Sequence, residues 1–292
     1  MESLNKLKIN IRRRYEFIEF CLAWEGEIGR PQLQELFSIS PQQATKDLTS
    51  YADAYPDNIH YDPRKRTYVV SPKFKSKLIS GKASEYFMHL QMLANEFRTK
   101  DEIWIQSIPE FETVSAAPRK LSPKILKKVT EAIKKKHSLK ARYLSMSSGN
   151  DNFRTLLPSA IVSDGHRWHV RAYHFEKQRY SDFVMSRLQE LELISSPAEK
   201  PPKDEAWNLK VNIVLEPDEK EFDKERCAQL AYEYDMKDGM LNVRTRKAMV
   251  YYMLRHYGFN PSAPIGKTMV NKSSFSLKIK NFEEVESWLD RR

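Results

Sequence analysis

The sequence predicts a multidomain α+β protein of 292 residues, and three patterns predict it. Three helix-period stripes and a strand hairpin fill the first 80 residues, short strand signals crowd the stretch after residue 138, and mixed strand and helix patterns close the chain. A chain of this length exceeds one ordinary core and suits two or three domains. Hydrophobic residues make up 40% and glycines number 8, so cores can form and a disordered chain is excluded.

The first stripe runs from Arg13 to Ala23 with Tyr15, Ile18, Cys21 and Leu22 on one side, and Gly26 and Gly29 end it. Pro31 opens a second helix that buries Leu33, Leu36 and Phe37 and stops at Ser38-Ile39-Ser40. Ser40 is the expected N-cap of a third helix, with Pro41 at its first position, Gln43 completing a capping box, and Ala44, Leu48 and Tyr51 inward. Strands at 58–61 and 67–70 follow, joined by a turn carrying Arg64, Lys65 and Arg66. Three helices and a hairpin in this order make a winged helix-turn-helix, expected to be a DNA-binding domain over residues 1–80.

In such a domain the polar side of the third helix enters the major groove. Ser40, Gln42, Gln43, Thr45, Lys46 and Thr49 then become the candidate base and backbone contacts, with Arg30 beside them and Arg64, Lys65 and Arg66 positioning the wing on phosphates. Glutamine suits a bidentate pairing with adenine, and lysine suits phosphate or guanine. Residues 1–75 carry only 12 basic against 10 acidic side chains, so a dimer is expected to double the contact surface.

Residues 83–98 read as a helix within a helical linker over 81–122, and the three prolines Pro109, Pro118 and Pro123 mark a boundary. A lysine-rich amphipathic helix, 124–137, opens the next domain, 123–197. Strands are expected at 139–146, 154–163, 166–174 and 179–187, with Asp164-Gly165 as a hairpin turn, giving a bent antiparallel sheet or barrel. Residues 116–200 hold 17 basic and 8 acidic side chains, nearly all of the net charge of +10. Alternation places His169, Arg171 and Tyr173 on one face, Tyr143 and Ser145 on one side of their strand, and Arg154 and Arg187 on neighbouring strands. Trp168, Phe183 and Met185 are expected in the core.

The charged, proline-containing run SSPAEKPPKDE then leads into a C-terminal unit, 205–292, with a strand at 209–215, helices at 217–234 and 245–257, a strand at 274–280 and a helix at 282–290.

Tyr143-x-Ser145, Arg154 ahead of Pro158, Trp168-His169-Val170 and Phe183-x-Met185-x-Arg187 together resemble the WYL domain of bacterial regulators, with His169 and Val170 departing from the Tyr and Leu of the family motif. With the winged helix before it and the unit behind it, the chain is similar to the BrxR- and CapW-type repressors that accompany phage-defence operons. The resemblance implies an Sm-like β-barrel, a C-terminal dimerisation domain, a homodimer, and autorepression released by an effector. Tyr143, Ser145, Arg154, His169, Arg171, Tyr173 and Arg187 become the ligand-binding candidates, since arginine holds phosphate bidentately and aromatic rings stack on a base.

The expected function is therefore a sequence-specific transcriptional repressor on a double-stranded DNA operator, an inverted repeat, controlled by a small anionic effector such as a nucleotide or oligonucleotide. An RNA or single-strand-binding accessory protein and a ligand-dependent activator are the alternatives. No phosphate-binding glycine loop, His-Glu-x-x-His or nucleophile elbow occurs, so no catalytic residue and no cofactor is expected. His166, His169 and His174 lack metal-ligand spacing, so no metal site is expected. No apolar run approaches the ~20 residues that span a bilayer, and the amino terminus carries no secretory pattern, so a cytoplasmic protein without a membrane partner is expected. Cys21 and Cys227 are too far apart for a zinc or redox pair and are expected as buried thiols.

Overall fold

The computed structural model describes residues 8–114, 119–146, 149, 152–194, 200–262 and 269–289. The chain divides into two units, Met1–Ala116 and Ala117–Arg292. Residues 115–118 of the proline linker, 195–199 of the charged boundary run and residue 290 of the last expected helix lie outside the described residues.

The first unit runs α1 (Ile9–Trp24), β1 (Glu27–Ile28), α2 (Arg30–Phe37), α3 (Pro41–Ala54), β2 (Ile59–Asp62), β3 (Thr67–Val70) and α4 (Ala83–Ala94). Its three strands pair antiparallel in the order β1-β3-β2. The core gathers Phe17, Ile18, Cys21 and Leu22 from α1, Leu33 from α2, and Ala44, Leu48 and Tyr51 from α3, all within 1% exposure. These are the inward stripes that helical periodicity requires.

Two local devices set the angle between α2 and α3. The chain leaves α2 through Ser38 in the left-handed region, φ +51°, and Ser40 Oγ accepts the Gln43 amide at 3.2 Å to start α3. The return half of the expected capping box is not made. The Gln43 side chain donates instead to Asp47 Oδ1 at 2.9 Å, one turn further on, where a buried carboxylate is the stronger acceptor. The segment expected as a linker packs back on this unit: Leu90 of α4, Ile103 and Ile105 close around Phe20 of α1.

The second unit begins with α5 (Pro123–Lys135), then β4 (Ser138–Tyr143), β5 (Phe153–Ser163), β6 (Trp168–His174), β7 (Arg179–Val184) and β8 (Leu188–Ile194), an antiparallel sheet ordered β7-β6-β5-β4-β8. The hairpin at Asp164-Gly165 forms as expected: Gly165 sits at φ +86°, and Asp164 Oδ1 accepts the His166 and Arg167 amides at 2.9 and 2.6 Å. Register shifts at Ala141/Tyr143 and Pro158/Ala160 bend β4 and β5. Strands β7 and β8 are the two edges, so the sheet is open, and the closure of an Sm-like barrel is not seen among the described residues. Residues 185–187 form a short 3-10 turn rather than the end of a strand, so Arg187 lies in that turn. Trp168, expected in the core, is 58% exposed, whereas Phe183 and Met185 are buried.

The rest comprises α6 (Glu205–Asn208), β9 (Lys210–Pro217), α7 (Lys224–Glu233), β10 (Leu241–Arg246), α8 (Val250–His256), β11 (Leu277–Ile279) and α9 (Phe282–Trp288), with sheet order β10-β9-β11. The helix expected from 217 starts only at Lys224, because Asp223 is its N-cap and Pro217 still belongs to β9. The helix expected from 245 starts at Val250, its first residues being the end of β10. Cys21 is buried, whereas Cys227 is only half-buried. No helix among the described residues is long and apolar enough to cross a membrane.

Candidate functional site

The outward face of α3 is built by a buried ion pair behind it. Asp47 and Arg14, each under 10% exposed, meet through Nε–Oδ2 at 2.6 Å and Nη2–Oδ1 at 3.1 Å, a bidentate contact tying α3 to α1. With Ala44, Asp47, Leu48 and Tyr51 turned inward, Ser40, Gln42, Thr45, Lys46 and Thr49 are exposed and Gln43 is half-buried. Lys46 has no ion-pair partner among the described residues, so its charge faces solvent.

Thr45 and Thr49 donate their hydroxyl hydrogens to the carbonyls of Pro41 and Thr45, at 2.9 and 3.0 Å. Toward DNA they can offer only oxygen lone pairs and methyl groups, which suits an amino group or a thymine methyl. On the wing, Asp62 Oδ1 accepts the Arg64 and Lys65 amides at 2.8 and 3.2 Å, and Arg66 takes φ +56°, which shapes the turn and leaves all three side chains exposed. Lys65 Nζ rests on Glu27 at 2.9 Å, a contact that solvent screens and a phosphate can replace. Arg30, at the first turn of α2, is exposed as well.

The ligand candidates fall on two sides of the five-stranded sheet. On the core side, the Arg154 guanidinium stacks 4.7 Å above the Tyr143 ring and 5.9 Å from Phe183, with no carboxylate partner among the described residues. Tyr143 is 7% exposed, its hydroxyl accepts the Val184 amide at 3.3 Å, and Ser145 lies just past the end of β4, half-buried.

On the opposite side of β6 lie His169, Arg171 and Tyr173, as alternation requires, and all three are buried. Arg171 has both edges of its guanidinium occupied: Nε and Nη2 on Asp204 at 2.5 and 2.8 Å, Nη1 on Asp182 at 3.0 Å. Burial opposes its charge, yet the hydrogen bonds to Asp204 and the charges of Asp182 and Asp204 hold its pKa above the usual arginine value. Arg171 is thus an internal tie between the sheet and the segment after it, and no fork edge is left for a ligand. Sequence spacing could not show this, because Asp204 lies 33 residues away.

His169 is 2% exposed, and its Nε2 comes within 3.3 Å of Asp164 Oδ2 without hydrogen-bond geometry, so neither ring nitrogen has a hydrogen-bond partner among the described residues. Burial lowers its pKa below the usual histidine value; Asp164 and Asp182 oppose that shift, while Arg167 and Arg187 add to it, and the Tyr252 ring packs at 5.2 Å. His174 and His89 are lowered by burial in the same way. The folded protein therefore holds these rings neutral where the unfolded chain takes up protons, so stability is full above about pH 6.5 and falls as pH drops below it. Thermal melts at pH 7.5 and 5 are expected to show a lower midpoint at pH 5, with part of the difference removed in His169→Phe; equal midpoints would contradict the assignment.

Comparison with known proteins gives a consistent set of matches. A profile for the BrxR transcriptional regulator winged helix-turn-helix domain matches residues 10–92, one for the WYL domain residues 124–193, and one for the BrxR transcriptional regulator C-terminal dimerization domain residues 210–285. The DNA-binding transcriptional repressor CapW of Stenotrophomonas maltophilia is 32% identical over 286 residues, covering 98% of this chain and 94% of the relative. Its Pseudomonas aeruginosa counterpart is 31% identical, covering 94% of this chain and 90% of the relative. Among solved structures, Proteasome accessory factor B/C (PafBC) of Arthrobacter aurescens aligns at 15% identity with a TM-score of 0.24, covering 96% of this chain and 47% of that one.

Proposed function

The chain belongs to the family of CapW DNA-binding transcriptional repressors, and from that premise we propose that it is a cytoplasmic homodimeric repressor that reads an inverted-repeat operator with α3. The observation that carries the reading is the exposed polar face of α3, held outward by the buried Arg14–Asp47 pair. Gln42, Gln43, Thr45, Lys46 and Thr49 read base edges, Ser40 and Arg30 meet the backbone beside them, and Arg64, Lys65 and Arg66 lie along phosphates. The functional divisions are residues 1–80 for DNA, 81–122 as connection, 123–197 as the WYL sensor and 205–292 for dimerisation.

The operator belongs to the protein's own phage-defence operon, and a nucleotide-like effector at the WYL domain releases it. Arg154 is the residue best suited to the effector phosphate, because its guanidinium is pre-oriented on the Tyr143 ring and lacks a carboxylate partner among the described residues. Ser145 completes that side, Arg187 joins it from the turn after β7, and His169, Arg171 and Tyr173 respond through the opposite side of β6. The two register shifts are the kind of bulge by which a sheet is bent toward closure, which supports an Sm-like barrel as the relative of this sheet.

Footprinting on the upstream region, with affinities for palindromic duplex, random duplex and single strand, tests the reading. Lys46→Ala and Gln43→Ala are expected to cost about 1–3 kcal/mol at the operator and to narrow the gap to random duplex. Arg154→Ala and Arg187→Ala are expected to keep operator binding and lose effector response. Preference for single strand over the palindromic duplex would overturn the repressor reading in favour of the accessory-protein alternative.

A further inference from the structure

A cleft of about 540 Å³ opens between the end of β5 and the C-terminal sheet, with Ile161, Trp207, Lys210, Arg244, Arg246 and Met249 among its walls. The volume lies within the range of about 300–1,000 Å³ common for small-molecule sites. The three cations share one face of the sheet. Arg244 and Arg246 stand two apart on β10, Lys210 is the direct cross-strand partner of Arg246, and the alternate residues Val211, Ile213 and Val243 turn to the core.

Like charges placed directly across a ladder repel, and among the described residues no carboxylate lies within ion-pair distance of any of the three. Other cations nearby are matched: Lys278 and Lys280 with Glu216, Arg171 with Asp182 and Asp204. Arg246 is also pre-positioned, its guanidinium 4.5 Å over the Trp207 ring with Nη1 donating to the Trp207 carbonyl at 2.5 Å. Trp207 is anchored in turn, because its amide donates to Asp204 Oδ1 at 3.1 Å. An unbalanced cluster of cations, one of them held in place by Trp207, beside apolar walls has the chemistry of a phosphate site with room for an organic group.

We propose that this cleft binds a small organic phosphate, with the phosphate on Lys210, Arg244 and Arg246 and the organic part against Ile161 and Met249. The site is separate from Arg154 and Tyr143, and a ligand in it braces the WYL sheet against the C-terminal sheet. Titration calorimetry and thermal shift on the full chain, with AMP, ATP and inorganic phosphate as probes, test it. At least one nucleotide is expected to bind more tightly than inorganic phosphate and to raise the unfolding midpoint. The double variant Lys210→Ala/Arg244→Ala is expected to weaken that binding about tenfold or more, while Arg226→Ala, which removes an exposed cation elsewhere, leaves it unchanged. No binding by any of the three probes overturns the proposal, as does nucleotide binding lost in Arg154→Ala but retained in the double variant. Loss of dimer in Arg244→Glu by light scattering, with no nucleotide bound by the wild type, would instead assign the cleft to contact between copies.

Discussion

Glu19→Ala is expected to destabilise the N-terminal unit by about 3–5 kcal/mol, a large share of ordinary domain stability. Glu19 is fully buried in α1, and its Oε2 accepts the Lys77, Leu78 and Ile79 amides at 2.9, 2.8 and 3.2 Å while Oε1 accepts the Tyr51 hydroxyl at 3.0 Å. Burial pushes the Tyr51 hydroxyl far above its usual pKa, opposed by its hydrogen bond from Asn58, so it stays a neutral donor. Alanine leaves three amides and that hydroxyl without their acceptor, each costing about 1–3 kcal/mol where water cannot reach. Because Tyr51 belongs to α3, operator binding should fall with stability. Glu19→Gln, which keeps one acceptor oxygen, should fall between the two, and urea unfolding would measure the series. A Glu19→Ala midpoint indistinguishable from wild type would show that this carboxylate does not hold the segment after β3.

Asp204→Ala is expected to cost the second unit a similar amount, about 3–5 kcal/mol, because it strips a buried arginine of its bidentate partner. Arg171, at 5% exposure, would keep only Asp182, whose other oxygen already accepts the Tyr252 hydroxyl at 3.1 Å. The same change removes the N-cap of α6, worth about 1 kcal/mol more. Asp204→Asn retains the cap and should recover part of the loss. Calorimetric unfolding of Asp204→Ala, Asp182→Ala and the double variant would give the coupling. Strict additivity would mean that the three groups do not act together.

Local signals made much of this architecture legible. Ser40-Pro41 and the stripe through Ala44, Leu48 and Tyr51 place α3, and Asp164-Gly165 places the hairpin, because caps and tight turns depend on residues close in sequence. Strand β8 escaped the reading because Leu188, Leu191 and Leu193 are interleaved with Gln and Glu, residues of low strand preference that tertiary pairing with β4 overrides. The end of β10 looked helical for a related reason: Thr245-Arg246 suits either state until β9 pairs with it. At the candidate sites, exposure of α3 followed from periodicity. The Arg14–Asp47 tie and the capture of Arg171 by Asp204 did not, since each joins residues 33 apart.

The linkage through Arg171 has a mechanical outcome. Asp204 grips β6 through that arginine and caps α6 through the Trp207 amide, and Trp207 in turn seats Arg246 of β10. The two sheets are thus coupled through a chain of charge-assisted hydrogen bonds whose first link, Arg171 to Asp204, is buried. The stretch after residue 200, which its prolines and charges mark as a boundary, is anchored at Asp204 to the sheet before it and to the helix behind it. The WYL and C-terminal parts are therefore expected to move together, and any compliance that alters the presentation of α3 is expected outside this joint.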